Sequence, residues 1–215
     1  MTRPPIDPAP PPVAATDLLD YRRRVADLYA RVRRTGVGEE AWRTWAAERE
    51  RLLADHPASP FDAAARASGV TVPCFPYDPR LHVGAVEIAP AEPAAFAIDH
   101  GGGATTSARR VGTLAFPLLG RSCTLSVFWL DGYGDGAFVP FRDATSGTST
   151  YAAGRYLLDT AKSADLGGDG ATVIVDLNFA YHPSCVHDAR WSCPLSPPEN
   201  HLPVAVEGGE RLPTP

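Results

Sequence analysis

The stretch FVPFRDATSGTSTYAAGRY, residues Phe138 to Tyr156, combines two arginines, an aspartate, hydroxyl side chains and two tyrosines among small residues. Arginine can bind a carboxylate or a phosphate through two parallel hydrogen bonds, and a loop of small and hydroxyl residues supplies further donors. The pattern predicts a site for a small organic ligand that could carry an anionic group. The structural alternative is a Thr/Gly-rich hairpin in which Arg142 and Asp143 pair to hold a corner.

A second polar pattern lies in residues 172–181. There Val173 and Val175 alternate with Asp176 and Asn178, which predicts a strand with two polar residues on its inward face. An unpaired buried polar group costs about 1–3 kcal/mol, so these two side chains need partners; they could line a pocket or brace a barrel. The predicted ligand-binding residues are Arg142, Asp143, Thr145, Thr150, Tyr151, Arg155, Tyr156, Asp176, Asn178 and Tyr181.

Catalysis is the second hypothesis, with Asp143 or Asp176 as a general base and Arg155 or Tyr156 stabilising negative charge. The sequence contains no G-x-S-x-G motif, Walker loop or dinucleotide-binding fingerprint. A third hypothesis is a structural or interaction protein whose helical segment docks a partner through Trp42 and Trp45. The cofactor stays open, since flavin rests only on an analogy of fold and residue type.

The segment AYHPSCVHDARWSCP contains two histidines and two cysteines. His182, Cys185, His187 and Cys193 are weak candidates for a zinc site, because their spacing matches no common zinc motif. A disulfide between Cys185 and Cys193 is an alternative, and so is a catalytic thiol at Cys185. The favoured interpretation is two reduced structural cysteines and no metal.

Charge and hydropathy exclude several classes of function. The net charge is −5, and no basic face of the kind that binds a phosphate backbone is predicted. No apolar run is long enough for a transmembrane helix, and the first residues lack the apolar core of a secretion signal. We therefore expect a cytoplasmic protein without nucleic-acid or membrane partners, whose oligomeric state stays open.

The elements that must position these residues change type along the chain. Amphipathic helices are predicted at 16–34, starting at a Thr16 cap, and at 39–54, with a third short helix capped by Ser59. Short strands are predicted at 81–88, 94–98, 111–118, 121–130, 137–141, 155–158, 172–181 and 204–207.

The predicted fold class is α+β: an antiparallel β-barrel or strongly curled sheet preceded by N-terminal helices. Within it we expect a disordered proline-rich lead at 1–15, a helical segment at 16–69, a barrel-like domain at 70–210 and a flexible tail at 211–215.

The sequence also resembles a known family. The strings VPFRDATSGTSTYAAGRYLLD and VDLNFAYHPSCVHDARWSCPLSPPENHLPVAVEGGE, with ERERLLADHPASPF and FPYDP before them, are similar to bacterial domain-of-unknown-function family 1684 over about residues 17–210. The matching positions are Phe141, Asp143, Thr145, Gly147, Thr150, Tyr151, Gly154, Arg155, Tyr156, Asn178, Tyr181, Pro183, Cys185, Cys193, Pro194 and Asn200. His182 and His187 depart from the family's usual Asn and Tyr, which weakens the metal interpretation. The resemblance implies no established activity, and some relatives look exported or lipid-anchored.

Overall fold

The computed structural model describes residues 13–101, 103–132 and 135–213. Three helices come first: α1 (Ala15–Thr35), α2 (Glu39–Asp55) and the short α3 (Ala63–Ala67). Six strands follow: β1 (His82–Asp99), β2 (Thr105–Leu118), β3 (Arg121–Leu130), β4 (Gly136–Phe141), β5 (Arg155–Asp159) and β6 (Thr172–Asp176). Most of the predicted proline-rich lead, and the end of the predicted tail, lie outside the described residues.

The strands form one antiparallel sheet in the order β5-β4-β3-β2-β1-β6. The sheet curls strongly into a half-barrel behind the N-terminal helices, which confirms the predicted α+β fold class. Neighbouring strands in this order run antiparallel, and a tight turn at residues 119–120 joins β2 to β3 as a hairpin.

The two edge strands approach each other at a seam. After β6 the chain makes a 3₁₀ turn (Leu177–Phe179) and then meets β5. The Tyr156 N–H donates to the Tyr181 carbonyl at 2.9 Å, and the Tyr181 N–H donates to the Tyr156 carbonyl at 3.1 Å. This pair of backbone hydrogen bonds connects the edge strand β5 to the segment that follows β6, so the curled sheet is bridged at one point.

Alternation of side chains along the strands produces a core on each face of the sheet. One core contains Leu114, Leu125, Phe141 and other strand residues together with Val206 from the C-terminal segment. The second joins helices and sheet, with the fully buried Trp45 of α2 packed on Phe179 at a ring distance of 5.4 Å. The predicted division at residues 69–70 stays a prediction, and helices and sheet share this second core.

Several predicted boundaries differ from the structure in the strands. The segments at 81–88 and 94–98 belong to one long strand, β1, whose register shifts between Pro90 and Ala94. The strand predicted at 172–181 ends at Asp176, because its carboxylate accepts the Asn178 N–H at 3.0 Å and begins the 3₁₀ turn. Residues 204–207 do not form a strand, so six strands replace the predicted eight or so.

The helix caps also differ. α1 begins at Ala15 without a side-chain cap, so the predicted Thr16 cap is wrong. α3 is capped by Asp62, whose Oδ1 accepts the Ala65 N–H at 2.6 Å. Ser59 instead donates its hydroxyl to the Leu53 carbonyl and accepts the Phe61 N–H, closing the turn after α2.

None of the described helices is both long and apolar enough to span a bilayer.

Candidate functional site

A cavity of about 260 Å³ lies between α1, α2 and the loops that follow β5 and β6. We call it the tyrosine cavity, because Tyr21 and Tyr29 of α1 face Tyr156 and Tyr181 of the sheet seam across it. Its volume is on the scale of a small organic molecule rather than of a single water. The cavity therefore sits at the seam of the half-barrel and not inside the curled sheet, whose two faces are filled by the cores.

The wall of the tyrosine cavity is cationic. Arg22, Arg49 and Lys162 line it, and no aspartate or glutamate is among the described residues that form its wall. Lys162 is largely exposed and pairs with Asp159 at 3.3 Å. Arg22 has no ion-pair partner within the part of the chain that the structure describes. Glu210 pairs with Arg49 from behind the wall, so Arg22 carries the uncompensated charge, which favours an anion over a cation.

Arg49 is held in the wall by Glu210, which lies behind it. The Arg49 Nε donates to Glu210 Oε1, and Nη2 lies 3.5 Å from Oε2. The guanidinium also stacks 4.5 Å from the centre of the Tyr181 ring. Burial raises the pKa of the Glu210 carboxyl, but the charge of Arg49, its hydrogen bond and the nearby histidines together hold the pKa below its usual value. Glu210 is therefore a buried carboxylate that orients Arg49.

His182 completes this arrangement as a neutral imidazole. Its main-chain N–H donates to Glu210 Oε2 at 2.6 Å, and its ring Nε2 accepts the Tyr151 N–H at 3.2 Å. Because Nε2 accepts, the ring proton sits on Nδ1, which lies 3.9 Å from Glu210 Oε2. Burial lowers the pKa of His182 to about 4, so the ring carries no charge at neutral pH.

Two buried polar atoms in the cavity wall lack a hydrogen-bond partner among the described residues: the Tyr181 hydroxyl and His187 Nε2. Burial raises the pKa of Tyr181 well above 10 and lowers the pKa of His187, so both groups are neutral at pH 7. Unpaired buried groups are uncommon in native proteins and cost about 1–3 kcal/mol each. A ligand that hydrogen-bonds to them would remove that cost.

A second buried network surrounds Arg155 on the other side of Glu210. Arg155 Nη2 donates to Asp143 Oδ2 at 3.0 Å and to the Val206 carbonyl at 2.8 Å. Its Nη1 donates to the Gly208 carbonyl and, at 3.1 Å, to the Glu210 carbonyl. The other Asp143 oxygen accepts the Thr145 N–H and hydroxyl and the Val206 N–H. Arg155 thus fixes residues 206–210, and Glu210 in turn holds Arg49 in the cavity wall.

The family model described as "Protein of unknown function (DUF1684)" matches residues 70–211, about two thirds of the chain. The chain belongs to this family. None of the curated proteins matches it.

The DUF1684 chain is also similar to a solved structure, the solution NMR structure of an uncharacterized protein of Haloarcula marismortui. The two are 32% identical with a TM-score of 0.56, over 80% of this chain and 95% of that one. This coverage exceeds what residues 70–211 alone provide, so the likeness extends beyond the region that the family model spans. The predicted bacterial origin stays a prediction.

Of the predicted ligand-binding residues of this DUF1684 protein, Tyr156 and Tyr181 line the tyrosine cavity. The structure brings Asp143, Thr145, Thr150 and Arg155 together in the Arg155 network. Tyr151 connects the Arg155 network to the tyrosine cavity: it follows Thr150 in the chain, and its N–H donates to His182 in the cavity wall.

The remaining predicted residues form separate contacts. Arg142 donates to the Ser196 carbonyl at 2.8 Å. Asp176 accepts from Asn178 and lies 3.0 Å from His82 Nδ1, and Asn178 bonds both backbone groups of Asp78. The contacts of Asp176 and Asn178 fasten the start of β1, and the chain just before it, to the end of β6.

The four weak metal candidates do not converge. No group of three or more His, Cys, Asp or Glu side chains placed to hold a metal ion is found within residues 13–101, 103–132 and 135–213. His182 and His187 line the cavity. Cys185 and Cys193 are free thiols, and the Cys185 N–H donates to the Cys193 sulfur at 3.3 Å.

Sequence reasoning did not find Tyr21, Tyr29, Arg49 or Glu210 as site residues. The two tyrosines lie on the apolar stripe of α1, which by itself predicts core packing. Arg49 and Glu210 are 161 positions apart, and neither stands in a motif that signals the other. Only the packing of the helices against the C-terminal segment brings them together.

Proposed function

We propose that this protein binds a small organic anion with an aromatic or apolar body in the tyrosine cavity. The observation that carries the proposal is the composition of the wall: three cationic side chains line it, Arg22 among them without an ion-pair partner among the described residues, and two buried polar groups are unpaired. A ligand anion would lie near Arg22, Arg49 and Lys162. A ligand acceptor or donor would meet the Tyr181 hydroxyl and His187 Nε2.

The rest of the wall suits the body of such a ligand. Aromatic and aliphatic side chains provide most of the remaining surface, among them Tyr21, Val25, Leu53 and Trp191. Small-molecule sites commonly combine an apolar lining with a few polar groups that fix orientation. The Arg49–Glu210 pair supports pre-organisation, because the arginine is already oriented before a ligand arrives.

The enzyme hypothesis has less support. Both oxygens of Asp143 and both of Asp176 already have protein partners, and neither residue lines the tyrosine cavity. A general base needs an accessible oxygen within hydrogen-bond reach of its substrate. The interaction-module hypothesis has less support too, since Trp45 is fully buried in the protein's own core.

The charge preference is testable with three small aromatic probes: benzoate, phenyl phosphate and the cation benzamidine, measured by thermal shift. Benzoate or phenyl phosphate should raise Tm, because a ligand at 100 times its Kd adds about 2.7 kcal/mol to folding stability. Benzamidine has the same ring and the opposite charge, so it should raise Tm little. An equal shift by benzamidine would contradict the anion preference.

Tyr181→Phe tests the location of the site. The substitution removes only the unpaired hydroxyl, so we expect folding stability to be unchanged or about 1 kcal/mol higher. Affinity for the anionic probe should fall about tenfold, since one hydrogen bond is worth about 1.4 kcal/mol. Isothermal titration calorimetry and urea unfolding measure the two quantities.

Tyr156→Phe is the matched control for the same chemical change. The Tyr156 hydroxyl already donates to the Pro194 carbonyl at 2.6 Å, so its removal should lower stability by about 1 kcal/mol. Affinity for the probe should change less than in Tyr181→Phe. If Tyr181→Phe binds the probe like the unmodified protein, the tyrosine cavity is not the binding site.

A further inference from the structure

Cys185 and Cys193 lie in direct contact at the end of the segment that forms one side of the tyrosine cavity. The Cys185 N–H donates to the Cys193 sulfur at 3.3 Å, and both are free thiols. Cys193 is 5% exposed, whereas Cys185 is half-buried. Two thiols held this close by the fold can be oxidised to a disulfide with little movement of the backbone.

The surroundings make the two sulfurs chemically different. The Cys185 thiol donates a hydrogen bond to the Cys193 sulfur, and this bond lowers the pKa of Cys193 to about 6. The backbone N–H groups of Cys185 and Ser184 and the charge of Lys162 act in the same direction. The same hydrogen bond raises the pKa of Cys185. Cys193 is therefore the more acidic of the two sulfurs, and an acidic thiol beside a second thiol is the arrangement that redox-sensitive dithiols use.

We infer that Cys185 and Cys193 are a peroxide-sensitive dithiol that forms a reversible disulfide. The Cys193 thiolate attacks one oxygen of hydrogen peroxide, the O–O bond breaks, and hydroxide leaves as Cys193 becomes a sulfenic acid. The Cys185 thiol then attacks the sulfenic sulfur, the S–O bond breaks, and water leaves with the thiol proton. The two sulfurs are oxidised by two electrons in total, and the peroxide is reduced.

The disulfide would also fix one side of the tyrosine cavity. His187 and Trp191, both in its wall, lie between the two cysteines. The Trp191 indole N–H donates to the Pro60 carbonyl at 2.8 Å, and the His187 ring packs 4.4 Å from that of Phe61. Oxidation would close this segment covalently in the conformation that lines the cavity. This regulatory consequence rests on the proposed function, whereas the thiol chemistry does not.

The experiment treats the purified full-length chain with hydrogen peroxide, denatures it, alkylates it with iodoacetamide and maps the peptides by mass spectrometry. We expect Cys185 and Cys193 to be protected and linked, with the loss of two hydrogens, while Cys74 and Cys123 are alkylated. Dithiothreitol should restore all four alkylation sites. Closing this short loop should also raise Tm by about 5–10 °C.

Cys185→Ser identifies the attacking sulfur. Without its resolving partner, Cys193 should accumulate as a sulfenic acid that dimedone labels. Absence of a linked peptide in the unmodified chain would overturn the inference, and so would oxidation of Cys74 and Cys123 at the same rate. The peptide map uses the unmodified chain, so it tests disulfide formation even if Cys185→Ser does not fold.

Binding of benzoate to the oxidised and reduced protein separates the two proposals. Oxidised protein should bind several-fold more tightly, because the segment is already ordered. If the disulfide forms and benzoate binds neither state, the thiol chemistry holds and the proposed ligand class is wrong. If benzoate binds both states equally, the disulfide does not regulate the cavity.

Discussion

Arg155→Met is expected to lower the free energy of unfolding by about 3–5 kcal/mol, enough to unfold a large fraction of a marginally stable domain. The substitution preserves side-chain volume but leaves the Asp143 carboxylate buried without its counter-charge. It also removes the donors to the carbonyls of Val206, Gly208 and Glu210. Urea unfolding monitored by tryptophan fluorescence measures the loss.

Arg142→Met is the matched control. Arg142 stands one residue before Asp143 and is only partly buried, and among the described residues its side chain donates one hydrogen bond, to the Ser196 carbonyl. Its removal should lower stability by about 1 kcal/mol. If Arg155→Met lowers the free energy of unfolding no more than Arg142→Met does, the Arg155 network does not hold the C-terminal segment.

The Arg155 substitution also bears on the tyrosine cavity. Because Arg155 fixes the backbone of Glu210, and Glu210 orients Arg49, Arg155 acts on the cavity as a positioning residue. In conditions where Arg155→Met remains folded, the affinity for an anionic probe should fall although Arg155 does not line the cavity. The Arg155 network and the tyrosine cavity are thus coupled through one carboxylate.

The fold could be predicted from sequence where local patterns decide the structure. The strand at 121–130 was predicted with its observed limits, because Cys123, Leu125 and Val127 alternate cleanly with polar residues. Boundaries were wrong where a single side chain overrides the pattern. Asp176 ends β6 by capping the next turn, and Asp62 rather than Ser59 caps α3.

The candidate site could be predicted only in part. Tyr156 and Tyr181 stand in motifs that the sequence singled out, and both line the tyrosine cavity. Their pairing at the seam depends on the curl of the whole sheet, which no local pattern specifies. Arg49 and Glu210 come from opposite ends of the chain, and a long-range pair of this kind leaves no signal in one sequence. Ligand binding at the other predicted residues stays a prediction.

Acid sensitivity is the second large expected effect, and it arises from His182. Burial lowers the folded-state pKa of His182 to about 4, against 6.5 for an unperturbed histidine. As the pH falls below 6.5, His182 binds a proton in the unfolded chain but stays neutral in the folded protein. The free energy of unfolding therefore decreases as the pH approaches 4. The pKa difference corresponds to about 3 kcal/mol in total. Urea unfolding between pH 7 and pH 4.5 measures most of this loss.

His182→Gln should flatten that pH dependence, because the amide oxygen can accept the Tyr151 N–H but cannot take up a proton. Some slope should remain, since burial lowers the pKa of His187 as well. His201→Gln removes an exposed imidazole and should keep the slope of the unmodified protein. Measurements above pH 4.5 avoid most of the titration of Glu210, whose lowered pKa lies below that value. An unchanged slope in His182→Gln would mean that His182 is protonated in the folded protein, and that the cavity wall carries one more positive charge in acid.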